Sequence, residues 1–242
     1  MSIFLAEFFG TFLLILLGNG VTANVTLPKT KGENSGWIVV TFGWAMAVVI
    51  GIYLVGWVSG AHLNPAISLA MALAGKITWS YFPWYLSGQF LGAFLGAYFV
   101  FLFYKDHFDS DKDSSYKLMA FATKPQINNK FANFISEVIA TFILIITVFS
   151  VTDEHNMVPA GIGPIVVGFI ILSIGLSLGG TTGYAINPFR DFCPRLVHQI
   201  VSFKGKGKSE WNYSWIPFCA PFLGGLIGYI FYYSIFLKFV SN

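Results

Sequence analysis

The sequence contains few charged residues. Lys, Arg, Asp and Glu make up 10% of its 242 positions, whereas soluble domains carry about 25%. Apolar residues make up 55%, and the mean hydropathy is +0.68. Such a surface cannot face water over most of its area, which excludes a water-soluble globular domain. Because the net charge is only +3 and the lysines are scattered, we predict no nucleic-acid partner.

Cysteines and clustered basic residues are also scarce. Cys193 and Cys219 lie in or beside apolar segments, and their spacing predicts neither a disulfide framework nor a metal site. We therefore expect buried, inert thiols and no cofactor. We also expect no cleavable signal peptide, because the first apolar segment is too long and lacks a basic region before it.

Long apolar stretches are what the sequence has in abundance. About 20 apolar residues span a bilayer, and six windows approach that length. They lie at 3–24, 37–57, 81–104, 131–152, 158–178 and 215–238. We therefore predict an all-α, multi-pass integral membrane protein with six transmembrane helices.

The chain contains two copies of one plan. "AEFFGTFLLIL" at 6–16 matches "SEVIATFILII" at 136–146, "SGAHLNPA" matches "TTGYAINPF", and "QFLGAFLG" matches "PFLGGLIG". We predict a single channel domain made of a first repeat (1–104), a connecting loop (105–130) and a second repeat (131–242). Because each repeat has three spans, an odd number, the second must enter the membrane with inverted topology. Inverted repeats place their functional site at the midplane, between interrupted helices.

Two short segments do not fit the pattern of full spans. "SGAHLNPAISLAMALAG" (59–75) and "GYAINPFRDFCPRLV" (183–197) are too short to cross a bilayer and begin with polar residues. Because Asn is a favoured N-cap and Pro fits the first helical turn, Asn64-Pro65 and Asn187-Pro188 indicate the starts of two half-helices. Irregular backbone before them is tolerated at membrane depth only if it is buried in protein or lines a wet cavity. A simpler alternative is that the two Asn-Pro pairs cap two surface helices. Their occurrence at matching places in both repeats argues against this alternative.

The half-helices predict a filter for neutral solutes. If both begin at the midplane from opposite sides, each brings a partial charge of about +0.5 to the centre of the membrane. Asn64 and Asn187 would then offer amide donors to a passing oxygen atom. A cation would meet positive potential that no acidic residue compensates. A molecule whose oxygen accepts from both amides donates its own protons elsewhere and cannot relay one. We therefore predict a pore for small hydroxylated solutes that excludes ions and protons.

Over nearly its full length the sequence resembles the aquaporin family, and within it the glycerol facilitator (aquaglyceroporin) branch. The motifs that carry the resemblance are "AEFFGT", "SGAHLNPA", "SEVIATF" and "GYAINPFRDFCPR". It implies an aquaporin-like fold of six tilted helices and two re-entrant half-helices, with one pore per subunit and a homotetramer in membrane lipid. The implied pore motifs are Asn64, Pro65, Ala66 and Asn187, Pro188, Phe189.

The resemblance also implies a selectivity filter of four residues. Arg190 matches the filter arginine, Trp44 matches the filter tryptophan of glycerol channels, and Tyr184 stands where these channels usually have Phe. Gly175 stands where water-selective members have His, and we expect it to leave width for a carbon chain. Arg190 would donate paired hydrogen bonds to adjacent hydroxyls, with Trp44 and Tyr184 as an apolar corner. Backbone carbonyls that would line the route belong to Gly60, Ala61, His62, Gly183, Tyr184 and Ala185.

Two positions depart from the family, and two buried acids carry a structural role. Phe189 stands where the family has Ala in its second motif, and Cys193 stands where this branch more often has Gly. An altered packing outside the pore is the first interpretation of both, and a changed midplane width is the second; overpacking costs about 1–3 kcal/mol unless the surroundings adapt. By resemblance, the buried acids Glu7 and Glu137 hold the re-entrant loops.

The predicted function is passive diffusion of glycerol and similar small neutral solutes, with some water, through a plasma-membrane protein with cytoplasmic termini. That orientation places Lys76 and Lys238 inside and most other lysines outside, which conflicts with the positive-inside rule. An enzyme is disfavoured because His62 and His155 lack catalytic partners in the sequence, and an ion channel because no acidic ring is present. A structural protein with a closed pore, and a water-selective or gated channel altered by Phe189 and Tyr184, remain as alternatives.

Overall fold

The protein consists of helices and connecting loops in the part that its computed structural model describes, residues 2–110, 113–159 and 161–236, where no strand is found. This confirms the all-α prediction. A 3-10 turn precedes the fourth helix, and a π-helical turn, Tyr232–Phe236, follows the last. The helices are α1 (Ile3–Thr26), α2 (Trp37–Ser59), α3 (Pro65–Leu73), α4 (Phe82–Phe103), α5 (Lys105–Phe108), α6 (Ser114–Met119), α7 (Lys130–Thr152), α8 (Gly163–Leu178), α9 (Pro188–Ile200) and α10 (Trp211–Phe231).

Five helices in the described ranges are long and apolar enough to cross a membrane: α1, α2, α4, α7 and α10. The sixth, α8, has 16 residues and starts at Gly163, five residues after the predicted start. Two described residues before it, Met157 and Gly161, have left-handed backbone that does not continue a helix. The last predicted span starts at Trp211 rather than at residue 215, and its end at Lys238 lies outside the described residues.

Glycines bring the long helices into backbone contact within each half. On α4, a Cβ at Gly88, Gly92 or Gly96 would lie 2.3–2.7 Å from a carbonyl oxygen of α1. On α10, a Cβ at Gly224 would lie 2.4 Å from the Val138 carbonyl oxygen of α7. In membranes, helices usually pack closely through small residues spaced by four, because lipid is as apolar as the helices and no hydrophobic force drives the helices together. The same device therefore joins α1 to α4 and α7 to α10.

The halves interlock around the two half-helices. The half-helix α3 packs against α10 of the other half, α9 packs against α4, and α2 packs against α8. The connecting segments gather at one end of the bundle, where His107 Nδ1 lies 2.9 Å from the Pro28 carbonyl oxygen and Lys204 N donates to Asp109 Oδ1 at 2.9 Å. That backbone N–H holds the pKa of the Asp109 carboxyl below its ordinary value. This arrangement places the starts of α3 and α9 face to face in the interior.

Candidate functional site

Each half-helix begins at an asparagine that caps it. Asn64 and Asn187 have extended backbone, and each precedes a proline at the first helical position. The Oδ1 atom of Asn64 accepts a hydrogen bond from Ala66 N at 2.9 Å. The Oδ1 atom of Asn187 accepts from the backbone N–H groups of residues 189 and 190 at 3.1 and 3.2 Å. The side-chain oxygens thus satisfy N–H groups that every helix start leaves without partners.

The two asparagines are joined by a reciprocal pair of hydrogen bonds. Asn64 Nδ2 donates to the Ile186 carbonyl oxygen at 2.8 Å, and Asn187 Nδ2 donates to the Leu63 carbonyl oxygen, also at 2.8 Å. A side-chain amide has two N–H donors. One N–H of each asparagine therefore joins the two half-helices, and the other has no acceptor among the described residues.

The loops before the half-helices share an unusual backbone. Positive φ angles occur at the paired positions Gly60 and Gly183, Ala61 and Tyr184, and Leu63 and Ile186. The non-glycine residues in this conformation cost about 1–2 kcal/mol each, so the surrounding contacts must hold them there. Consecutive carbonyl groups are turned out of helical geometry as a result. No described N–H or O–H donates to the carbonyl oxygens of Gly60, Ala61, His62, Gly183, Tyr184 and Ala185.

Two fully buried glutamates hold these loops. The Glu137 carboxylate accepts hydrogen bonds from Ala185 N at 2.9 Å and Ile186 N at 3.0 Å. The Glu7 carboxylate accepts from His62 N at 3.0 Å and Leu63 N at 2.8 Å. Each acid thereby satisfies two consecutive N–H groups on the far side of its loop. With the N–H groups held by the glutamates, the carbonyl groups are free to face the opposite side.

Three cavities follow one another along the axis between the half-helices. A narrow central cavity of about 70 Å³ contains both asparagines, Trp44, Tyr184 and Arg190 in its wall. Tyr184 and Arg190 also line an outer cavity of about 190 Å³. At the other end, an inner cavity of about 540 Å³ shares wall residues of the first loop with the central one and reaches Lys76. The three cavities thus adjoin through shared wall residues, and the smallest lies between the two larger ones.

Arg190 and Trp44 form the outer end of the narrow cavity. The guanidinium carbon of Arg190 lies 3.9 Å from the centroid of the Trp44 ring, a cation–π contact. Trp44 is held from behind, since its Nε1 donates to Thr22 Oγ1 at 3.0 Å and its ring fills the space that a Cβ at Gly18 would need. Among the described groups, none accepts a hydrogen bond from the Arg190 guanidinium, which lies in the wall of both the narrow and the outer cavity.

The Tyr184 ring fills the space beside Gly175. A Cβ at Gly175 would lie 2.8 Å from Tyr184 Cζ, 3.0 Å from its Oη and 2.9 Å from Thr41 Cγ2. Gly175 does not line the narrow cavity itself. It affects the pore through the position of Tyr184.

Phe189 and Cys193 point away from the pore. The Phe189 ring packs edge-on against Phe90 of α4, with the centroids 5.5 Å apart, and takes no part in the wall of the narrow cavity. Cys193 is fully buried in the apolar core. In the first repeat, the position matching Phe189 is Ala66, which approaches Gly225 of α10. A larger ring thus fits on the α4 side without entering the path.

A buried ion pair near the outer cavity was not expected from the sequence. Asp191 and Arg195, one helical turn apart on α9, bind each other with N–O distances of 2.8 and 3.0 Å. Asp191 also accepts from Thr123 N and Oγ1, and Arg195 donates to the carbonyl oxygens of Thr123 and Ser209. The pair fastens two outer segments to the half-helix. The i, i+4 spacing of the charges was the available signal.

The His62 side chain is packed rather than catalytic. Its ring stacks on Tyr85 with the centroids 4.4 Å apart, and its Nδ1 lies 3.1 Å from Ser68 Oγ. The Ser68 hydroxyl is buried and donates to the Asn64 carbonyl oxygen at 3.2 Å. This contact therefore ties the first loop to its half-helix.

Comparison with known proteins agrees with this geometry. The profile described as "Major intrinsic protein" matches residues 1–232. The chain is 50% identical to the probable glycerol uptake facilitator protein of Thermotoga maritima, over 98% of this chain and 100% of the relative. It is 47% identical to the glycerol uptake facilitator protein of Bacillus subtilis, over 100% of this chain and 88% of the relative. The X-ray structure of the aquaglyceroporin from Plasmodium falciparum superimposes with a TM-score of 0.88 at 34% identity, covering 98% of this chain and 97% of that one. The protein is therefore an integral membrane protein with the aquaporin fold and belongs to the major intrinsic protein family.

Proposed function

We propose that the protein is a channel for the passive diffusion of glycerol and other small neutral solutes, with some water. Glycerol uptake facilitators at 44–50% identity and an aquaglyceroporin structure support this function. No energy source is needed, because solutes move down their own gradient. The water-selective or closed alternative is not favoured. The Phe189 ring lies outside the wall of the narrow cavity, and position 175 is a glycine rather than a bulky residue.

The observation that carries the proposal is the mixed chemistry of the wall of the narrow cavity. Its polar part consists of Arg190, the two asparagines and the loop residues with free carbonyl oxygens. The rest of the wall is apolar, formed by the Trp44 ring and by aliphatic side chains: Leu14, Val48, Ile52, Ile67, Leu144 and Ile171. A polyol has hydroxyl groups and a carbon chain, so it matches both parts of this wall. Water alone would leave the apolar part unused.

Ion exclusion follows from the charges around the asparagines. The starts of α3 and α9 face each other, and each contributes a partial charge of about +0.5. The Arg190 guanidinium adds a full positive charge, and no acidic side chain occurs among the residues that line the narrow cavity. A cation therefore meets positive potential, and an anion would have to leave its hydration shell to enter an apolar constriction.

We further propose a homotetramer in the plasma membrane with cytoplasmic termini. The support for assembly is the set of large apolar side chains exposed on α1, α2 and α8, including Phe9, Phe42, Leu54 and Phe169. Lipid or neighbouring subunits would cover this surface. The proposed orientation rests on the family and not on charge. Most lysines lie at the end of the bundle that would face outward, which is opposite to the positive-inside rule. The wide inner cavity at Lys76 would then open to the cytoplasm.

Stopped-flow light scattering on proteoliposomes tests the function. Vesicles that contain the protein should shrink and then reswell rapidly in a glycerol gradient, with a low activation energy, and should only shrink in a gradient of an impermeant sugar. Empty vesicles are the control. Water flux without glycerol flux would contradict the proposal in favour of a water-selective pore, and an absence of both would indicate a closed one.

A further inference from the structure

The last turn of α8 presents a carbonyl group to a side chain of another helix. The last four carbonyl groups of a helix have no intrahelical donor, and the Gly175 carbonyl is one of these in α8 (Gly163–Leu178). Its oxygen accepts a hydrogen bond from the indole Nε1 of Trp37, at the start of α2, at 3.0 Å. This bond fixes the Trp37 side chain against α8.

The fixed indole lies against the Tyr184 ring. The two rings meet edge to face, with centroids 5.8 Å apart and an interplanar angle of 80°. Below them, Gly175 in the last turn of α8 and Gly179, the residue directly after α8, leave a flat surface. A Cβ at Gly179 would lie 2.5 Å from Tyr184 Cδ1 and 2.8 Å from Trp37 Cζ2. The Tyr184 ring is thus bounded by α8 on one side and by Trp37 on another, with the pore beyond.

Packing alone holds the Tyr184 ring in this place. Its hydroxyl is buried and has no hydrogen-bond partner among the described residues. Tyr184 as a whole is 4% exposed. A phenol without a polar anchor takes the orientation that its neighbours allow, and Trp37 is the neighbour that is itself anchored. A change in Trp37 should therefore be transmitted to the pore wall.

We propose that Trp37 is a positioning residue that sets the pore width at Tyr184 and thereby the size of polyol that passes. This inference rests on the proposed function as a solute channel. Trp37 contacts the outer cavity but not the narrow one, so it acts through Tyr184. Loss of the indole leaves room behind the ring, which can turn out of the pore. A methyl group at Gly175 has the opposite effect and pushes the ring inward.

The test compares opposed substitutions on the two sides of the ring. Trp37→Leu should raise the ratio of erythritol to glycerol permeability by about two- to tenfold, the factor that corresponds to the free energy of turning a side chain about 30° from its preferred rotamer. Gly175→Ala should lower the ratio of glycerol to water permeability by a similar factor. In the double variant both ratios should return toward those of the wild type. The matched control is Trp57→Leu, the same change on the same helix at a residue that is 82% exposed.

Two results would overturn the inference. One is a Trp37→Leu variant with the same permeability ratios as Trp57→Leu. The other is an effect of Trp37→Leu that persists in a Tyr184→Ala background, since Trp37 would then not act through the ring.

The proposed function can fail separately. If the wild type passes water but no glycerol, the function is wrong, while water permeability still tests whether Trp37→Leu reverses the effect of Gly175→Ala. If nothing passes, the thermal midpoints of the single and double variants measure the same coupling. Additive shifts in these midpoints would count against the inference.

Discussion

The Glu7 carboxylate makes the first loop sensitive to the exchange of a single atom. Glu7→Gln keeps the shape of the side chain but replaces one oxygen by NH₂. Oε1 accepts from Ser59 Oγ at 2.6 Å and His62 N at 3.0 Å, and Oε2 accepts from Leu63 N at 2.8 Å and Gln89 Nε2 at 2.7 Å. In either orientation the new NH₂ group therefore faces a backbone N–H that loses its acceptor. Four donors around two oxygens is the pattern that an ionised carboxylate satisfies and an amide cannot.

The expected cost follows from counting these bonds. One buried backbone N–H without an acceptor costs about 1–3 kcal/mol, and the two bonds that remain lose about 1 kcal/mol each, because hydrogen bonds to a charged group are stronger than neutral ones. The sum is about 4 kcal/mol. For a chain of this size, that corresponds to a fall in thermal midpoint of about 8–16 °C. The loop carbonyl groups should also lose their orientation, which reduces solute flux.

The assay heats the purified protein in detergent and measures the monodisperse fraction that remains by size-exclusion chromatography. Reconstituted samples kept at low temperature give the glycerol flux. Glu154→Gln, which changes an exposed glutamate of a loop, is the matched control. If Glu7→Gln and Glu154→Gln have equal thermal midpoints and equal flux, the anchoring role of Glu7 is refuted.

Three further outcomes are expected. Phe189→Ala should lower stability by about 2 kcal/mol, because a half-buried ring is removed, but leave the ratio of glycerol to water flux unchanged; a changed ratio would mean that the ring faces the path. Asn187→Asp replaces the donor to the opposite loop by an anionic oxygen, so vesicles should become leaky to Na⁺, measured with an enclosed indicator dye. The hydrogen bonds from the His155 side chain and backbone and from the Tyr232 hydroxyl lower the pKa of Asp153. Its contribution to stability is therefore present above about pH 4, the ordinary value, and is lost as the pH falls through the lowered pKa. The thermal midpoint should consequently fall more on acidification in the wild type than in Asp153→Asn, and equal falls would show that Asp153 contributes nothing.

Much of the architecture could be predicted because it depends on local patterns. Apolar length identifies the spans to within a few residues, as at α1 and α2, and the Asn-Pro pairs mark the starts of α3 and α9. The family and the all-α fold are confirmed. The predicted start of the fifth span, residue 158, is five residues too early, because apolar composition alone does not mark where a helix begins.

The interior contacts were harder to predict. The sequence does not indicate that the space beside Gly175 is occupied by the Tyr184 ring. Trp37 was not singled out, because its partners lie 138 and 147 positions away in the chain (175 − 37 and 184 − 37). The roles of the filter residues in selectivity remain predictions until fluxes are measured.

The sequence by itself determined the class of protein, the inverted repeat and the polar residues available at the centre of the membrane. These depend on composition and on the spacing of residues along the chain. Only the tertiary structure decided how the polar groups are used: one N–H of each asparagine joins the opposite loop, the glutamates hold the N–H groups and thereby free the carbonyls, and Phe189 packs outside the path. The physical reason is that hydrogen bonds and ring contacts depend on atomic distances across the bundle, which pair residues from opposite halves and leave no local pattern in the sequence.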